Sequence, residues 1–184
     1  MLRVLRAPAL WMVVGFLLAA VGLERWVTAM GGPEALMERY GVATPAVLVL
    51  VQAALAAAPF PSELWALATS AAYGWLAGGV MTWAGWTLGS MIQYGLARRS
   101  AKDVDLDARL ERLPAWLRRL PVTHPMFLVA VRWFPLGFHV ANLTAGARRV
   151  PPLRQLWIAA LGSIPGAALW AGIGAGAVEG LRWI

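Results

Sequence analysis

Two residues carry charge where charge is expensive. Glu63 is the only formally charged residue from Thr44 to Gln93, and Arg132 the only one from Met126 to Ala147. On insertion scales a charge at the centre of a membrane helix costs roughly 2.5–3.5 kcal/mol, and such residues usually mark a site of function. A guanidinium offers a planar fork that matches phosphate geometry. A carboxylate in an apolar setting can bind and release a proton. Brought together, the two would form a structural ion pair, or an anion site at Arg132 gated by a protonatable Glu63. Both hold if a phosphate competes with Glu63 for the same guanidinium.

Each charge lies beside proline. Pro59-Phe60-Pro61-Ser62-Glu63 interrupts one apolar run and Arg132-Trp133-Phe134-Pro135 another. Proline removes a backbone donor and clashes with the preceding turn, so neither stretch continues a helix. Broken backbone at membrane depth is tolerated only where it is buried in protein or lines a cavity. Pro59, Pro61 and Pro135 are therefore expected structural breaks, and Gly146, Pro165 and Gly166 are expected to mark further ones.

The 184 residues are 60% hydrophobic and 14% charged, with a mean hydropathy of +0.63. Soluble domains run nearer 45–50% apolar and about 25% charged, so this composition indicates an integral membrane protein. Eleven Trp and nineteen Gly suit that class, Trp at the interfaces and Gly within spanning helices. The net charge of +7 does not point to nucleic acid, because the bases gather in short segments between apolar runs. That is how Lys and Arg orient a membrane protein. With no Cys there are no disulfides, thiolate metal sites or cysteine nucleophile. A bacterial inner membrane fits this profile.

The elements that must position the two charges follow in order. Residues 1–30 are expected to form an N-terminal transmembrane helix. Arg3 and Arg6 precede the apolar run Pro8 to Leu23 and place the N-terminus in the cytoplasm, with Trp26 as an interface anchor. The alternative is a signal peptide with its small-residue site at Leu18-Ala19-Ala20-Val21. Pro33 to Tyr40 reads as a short surface helix. Residues 44–97 are too few for three full crossings but fit a hairpin that dips in and returns (44–73) and one crossing (75–97). Gly74-x-x-x-Gly78 and Gly85-x-x-x-Gly89 have helix-contact spacing. Residues 98–121 form an amphipathic cytoplasmic linker, with Leu106, Leu110, Leu113, Leu117 and Leu120 on one face. Residues 122–179 repeat the hairpin and crossing from the opposite face. The expected fold is an all-α integral membrane protein, a single membrane domain over 1–184. It holds an inverted repeat of two re-entrant helical hairpins, each followed by a transmembrane helix, plus the N-terminal helix.

The remaining chemistry is sparse. Gln52, His139 and Asn142 are polar neighbours that would line a substrate path, and His124 looks interfacial. Two His and one carboxylate make no metal set. Ser163 in Gly162-Ser163-Ile164-Pro165-Gly166 does not match the nucleophile elbow. No enzyme activity, cofactor or metal is expected.

On these residues the chain resembles the DedA superfamily, also described as the VTT or SNARE-associated Golgi protein domain, over about 44–179. The first motif of that family resembles Pro61-Ser62-Glu63, Gly74, Leu88-Gly89 and Tyr94 to Arg98. The second resembles Arg132 to Pro135, Ala145-Gly146, Leu161-Gly162 and Pro165-Gly166. The resemblance implies two opposed re-entrant hairpins and a lipid-handling role. Bacterial relatives are associated with moving undecaprenyl phosphate with proton motive force, and eukaryotic ones with scrambling phospholipids. Departures from the polyprenyl-phosphate pattern are visible. An acid expected about a dozen residues before Glu63 falls near Gln52, and a second Arg falls at Phe138. Phe138, His139 and Asn142 instead look like a branch whose substrates are poorly defined.

The leading expectation is a lipid transporter, a flippase or scramblase for a phosphate-bearing lipid, with or without proton coupling. Its partners would be anionic membrane lipids and protons, with a homo-oligomer left open. A small-solute or ion transporter on the same scaffold is the alternative, and a structural or regulatory membrane protein is the third.

Overall fold

The computed structural model describes residues 41–58, 61–101, 121–134 and 136–181, with isolated positions at 22, 25, 29 and 31. The expected N-terminal helix and surface helix, most of the linker, and the breaks Pro59 and Pro135 lie outside the described residues. Among the described residues all regular structure is helical. After a single 3-10 turn at Gly41–Ala43 come α1 (Thr44–Ala57), α2 (Glu63–Ser100), α3 (Pro125–Val131), α4 (Gly137–Ala147) and α5 (Pro152–Leu181).

Proline sets most of the boundaries. It occupies the first turns of α1, α3 and α5, where its missing N–H is no loss. The residues before Pro59 and Pro125 are extended: Ala58 has φ −87° and ψ 157°, and His124 φ −72° and ψ 130°. Pro165 lies inside α5, whose helical run continues through Pro165-Gly166. The expected break there is absent.

Gly74 divides α2. Its φ of 79° and ψ of 171° are open to glycine alone, and the chain reverses there. The proof is Gly78, where a side chain would collide with the backbone of Ser70. Residues eight apart in an unbroken helix are separated by about 12 Å.

The helices sort into two compact units, one of described residues up to Gly89 together with those from Ile164, the other Ser90–Ser163. In the first, α1 packs on both halves of α2 around Leu48, Val51, Leu55, Trp65 and Met81. Gly85 and Gly89 receive Gln52 and Ala53 of α1 at close range, so this small-residue pair serves helix contact. In the second, α3 and α4 form a helical hairpin, and Leu128, Ala141, Ala145, Tyr94, Val150 and Ile158 make its core. Gly146 lies within α4, not at an interruption. A side chain there would strike the backbone of Tyr94 and Arg98, so its glycine permits close helix approach.

One helix among the described residues, Pro152–Ala177, is long and apolar enough to cross a membrane, and only 33% of that window is buried. A soluble core helix would be mostly buried. Here Leu153, Leu161, Ile164, Leu169 and Ile173 face outward, which suits a lipid environment.

Candidate functional site

The turn between α3 and α4 aims Arg132 inward. Leu136 adopts a left-handed conformation, φ 61°, and Gly137 sits so close to the Val131 carbonyl that no Cβ fits. Arg132 follows the last residue of α3, where the exposed carbonyls of a helix end favour a cation. Its side chain is 7% exposed.

The guanidinium is held by neutral groups. Nη1 donates to Asn142 Oδ1 at 2.6 Å, and Nη2 donates to Ser90 Oγ at 2.6 Å and Ser163 Oγ at 3.3 Å. The guanidinium carbon lies 4.6 Å from the centre of the Phe138 ring, a cation–π contact. Gly162 makes room for the stem, since a Cβ there would lie 2.5 Å from Arg132 Cδ. Trp133 Nε1 donates to the Gly162 carbonyl at 3.2 Å and ties the turn to α5. Arg132 Nε has no acceptor. No Asp or Glu occurs among the described residues of this unit.

Asn142 links Arg132 to a wider polar cluster. Its Oδ1 also accepts Gln155 Nε2 at 3.0 Å, and its Nδ2 donates to Gln93 Oε1 at 2.9 Å. Gln93 Nε2 lies 2.6 Å from His139 Nδ1. Of the residues singled out from sequence, the structure therefore unites Arg132, Asn142 and His139. Ser90, Gln93, Gln155 and Ser163 were missed as members. The available signal was glutamine itself: the chain has three, each in an apolar helix, and a buried amide demands partners.

The other two candidates belong to the first unit. Gln52, 2% exposed, donates from Nε2 to the Ser62 carbonyl at 3.1 Å. Trp86 Nε1 donates to Ser62 Oγ at 3.1 Å, so α1 and the second half of α2 pin the break from two sides. Pro61 stands in that break, exposed. Glu63 is the first residue of α2, half-buried, where a carboxylate complements the positive helix end. Glu63 and Arg132 lie in different units. The first unit also holds an apolar groove of about 320 Å³ lined by Trp75, Trp83, Ile164, Ala167 and Ala168.

Among the described residues all regular structure is helical, one apolar helix is long enough to cross a membrane, and a cation is buried among polar side chains. The VTT domain family matches residues 60–176, more than half of the chain. The chain belongs to that family, whose domain is that of the DedA and SNARE-associated Golgi proteins, and it is a membrane protein of the DedA type. No curated protein and no solved structure matches it.

Proposed function

We propose that this protein is a membrane lipid transporter, a flippase or scramblase for a phosphate-bearing lipid such as a phospholipid or undecaprenyl phosphate. The observation that carries the reading is Arg132: a buried guanidinium with neutral partners and an Nε that has no acceptor. A cation held this way is preorganised for an anionic headgroup, because the described residues around it in its unit supply no carboxylate to neutralise it. Glu63 acts as the protonatable gate, and Gln52, His139 and Asn142 serve the path. The groove beside Trp75 and Trp83 offers an acyl chain an apolar wall. In this reading the two broken hairpins are re-entrant and inverted, the protein sits in a bacterial inner membrane with a cytoplasmic N-terminus, and protons drive transport.

The test is reconstitution of the purified protein in liposomes with labelled phospholipid and polyprenyl phosphate, with and without a pH gradient. Lipid movement lost in Arg132→Ala, from protein that inserts normally, supports the reading. A gradient effect lost in Glu63→Gln supplies the coupling. No lipid movement from folded protein rejects it.

A structural role is the second reading, favoured by how fully Ser90, Asn142, Ser163 and Phe138 surround Arg132. In that case Arg132→Lys, if folded, would move lipid at the wild-type rate.

A further inference from the structure

Helix α4 ends in a motif that asks for glycine and holds arginine. The Val150 amide donates to the Ala145 carbonyl at 3.0 Å and the Arg149 amide to the Gly146 carbonyl at 3.1 Å. Arg149 is left-handed, with φ 54°. These are the paired bonds of a Schellman closure, whose left-handed position suits glycine because glycine has no Cβ to clash. Arg154 breaks a second local rule. It stands in the first turn of α5, which carries no acid, and there the positive end of the helix opposes a cation. Both departures place an exposed arginine beside the same turn of the second unit.

That turn is joined to α2. Tyr94 OH donates to the Val150 carbonyl at 2.6 Å, and Arg98 Nη1 donates to the Tyr94 oxygen and, at 3.4 Å, to the same carbonyl. The guanidinium carbon also lies 5.8 Å from the centre of the Tyr94 ring. Arg98 is thereby fixed at the residue that follows Arg149. Both of these bonds come from a single nitrogen of its fork.

We propose that this corner binds the headgroup of an acidic phospholipid, with Arg98, Arg149 and Arg154 around its phosphate, as a resident lipid separate from any cargo at Arg132. The spanning run of α5 begins at Pro152, so the corner lies where hydrocarbon gives way to headgroups. Leu153, 80% exposed, and the exposed Trp157 share one face of α5 and offer a lipid apolar and interfacial contact. Basic pockets at the membrane surface take acidic headgroups. Orienting a membrane protein asks only for bases in a loop. It does not ask for one at a left-handed closure and another against a helix dipole. Residues 101–120 hold four acids and five bases, so the region stays basic however its charges pair. The proposal stands whether or not Arg132 is an anion site.

The experiment titrates the full-length chain, in micelles of a neutral maltoside, with dihexanoyl phosphatidylglycerol, dihexanoyl phosphatidylcholine and inorganic phosphate, read by calorimetry. Phosphatidylglycerol should bind, the other two should bind about tenfold more weakly or less, and added salt should weaken binding. Arg149→Gly and Arg154→Gln should each lower phosphatidylglycerol affinity about fivefold. Arg98 is spared, because its bonds tie α2 to the turn. Arg149→Gly carries a second readout. Relief of the left-handed backbone should raise the unfolding midpoint without lipid, while the further rise given by phosphatidylglycerol shrinks. A residue that served only the fold would not move these two in opposite directions.

Equal affinity for phosphatidylcholine overturns the acidic headgroup, and phosphate that binds as tightly as the lipid overturns the lipid. Phosphatidylglycerol affinity untouched by both substitutions overturns the site. If that binding is lost instead in Arg132→Lys, the lipid lies at Arg132 and the corner serves only the fold.

Discussion

At one break the charge is an acid opening a helix, and at the other a base closing one. Glu63 heads α2 and Arg132 follows α3, so each sits at the helix end whose partial charge opposes its own. There the likeness ends. Arg132 is 7% exposed, with three hydrogen-bonded oxygens and an aromatic ring around it. Glu63 is half-buried, and within its unit its side chain accepts no hydrogen bond from a described residue. The break around Glu63 is instead fixed through its neighbour, since Gln52 and Trp86 both bond to Ser62. The base is a fixed element of the architecture, and the acid is carried on a fixed turn but left free to respond.

The difference can be broken most severely at Arg132. Arg132→Met removes a charged donor from Asn142, Ser90 and Ser163, and hydrogen bonds to a charged group contribute about 1.5–3 kcal/mol each. The expected loss is about 3 kcal/mol or more, read as a lowered unfolding midpoint in detergent. An unchanged midpoint would mean that the cup does not depend on its cation. Gly162→Ala comes next. Its methyl would lie 2.5 Å from Arg132 Cδ and displace the stem, at about 2 kcal/mol for overpacking. Gly95→Ala is the control, since nothing lies within 4 Å of a Cβ there. Equal effects at the two glycines would refute the role of Gly162 as the seat of the guanidinium.

Much of this was legible in sequence, and the reasons are physical. The helical class followed from apolar runs, and the breaks beside Glu63 and Arg132 from proline chemistry. Gly85 and Gly89 have the contact role their spacing implied. Gly146 and Pro165-Gly166 were harder, because glycine and proline in a tightly packed helix serve close approach as readily as interruption. The structure uses Gly146 for approach and runs α5 through Pro165. Gly74 fits both the expected boundary between the hairpin (44–73) and the crossing (75–97) and a helix-packing motif, and its backbone divides α2 at that boundary. The Arg132 cluster was legible at Arg132, Asn142 and His139, all close in sequence around one turn. Its other half, Ser90, Gln93, Gln155 and Ser163, comes from α2 and α5, and only the folded hairpin brings those positions together.

Gly74→Ala tests the first unit on the same scale. The site has open space, so the cost is backbone strain alone, about 1–3 kcal/mol for φ near 79°. A neutral result would mean the chain can turn there without glycine.

The smallest effect on stability is expected at Glu63, and it sharpens the comparison most. Glu63→Gln keeps the shape and removes the charge. The loss is confined to the interaction with the end of α2, about 0.3–1 kcal/mol. No bonded network collapses with it, unlike Arg132→Met. If Glu63 gates a path, this nearly silent substitution abolishes the effect of a pH gradient on lipid movement while the unfolding midpoint barely shifts. If Glu63 serves only the helix end, transport and midpoint both stay near wild type. A large fall in stability would contradict both, because it would require that Glu63 be held as tightly as Arg132, which its surroundings in the first unit do not provide.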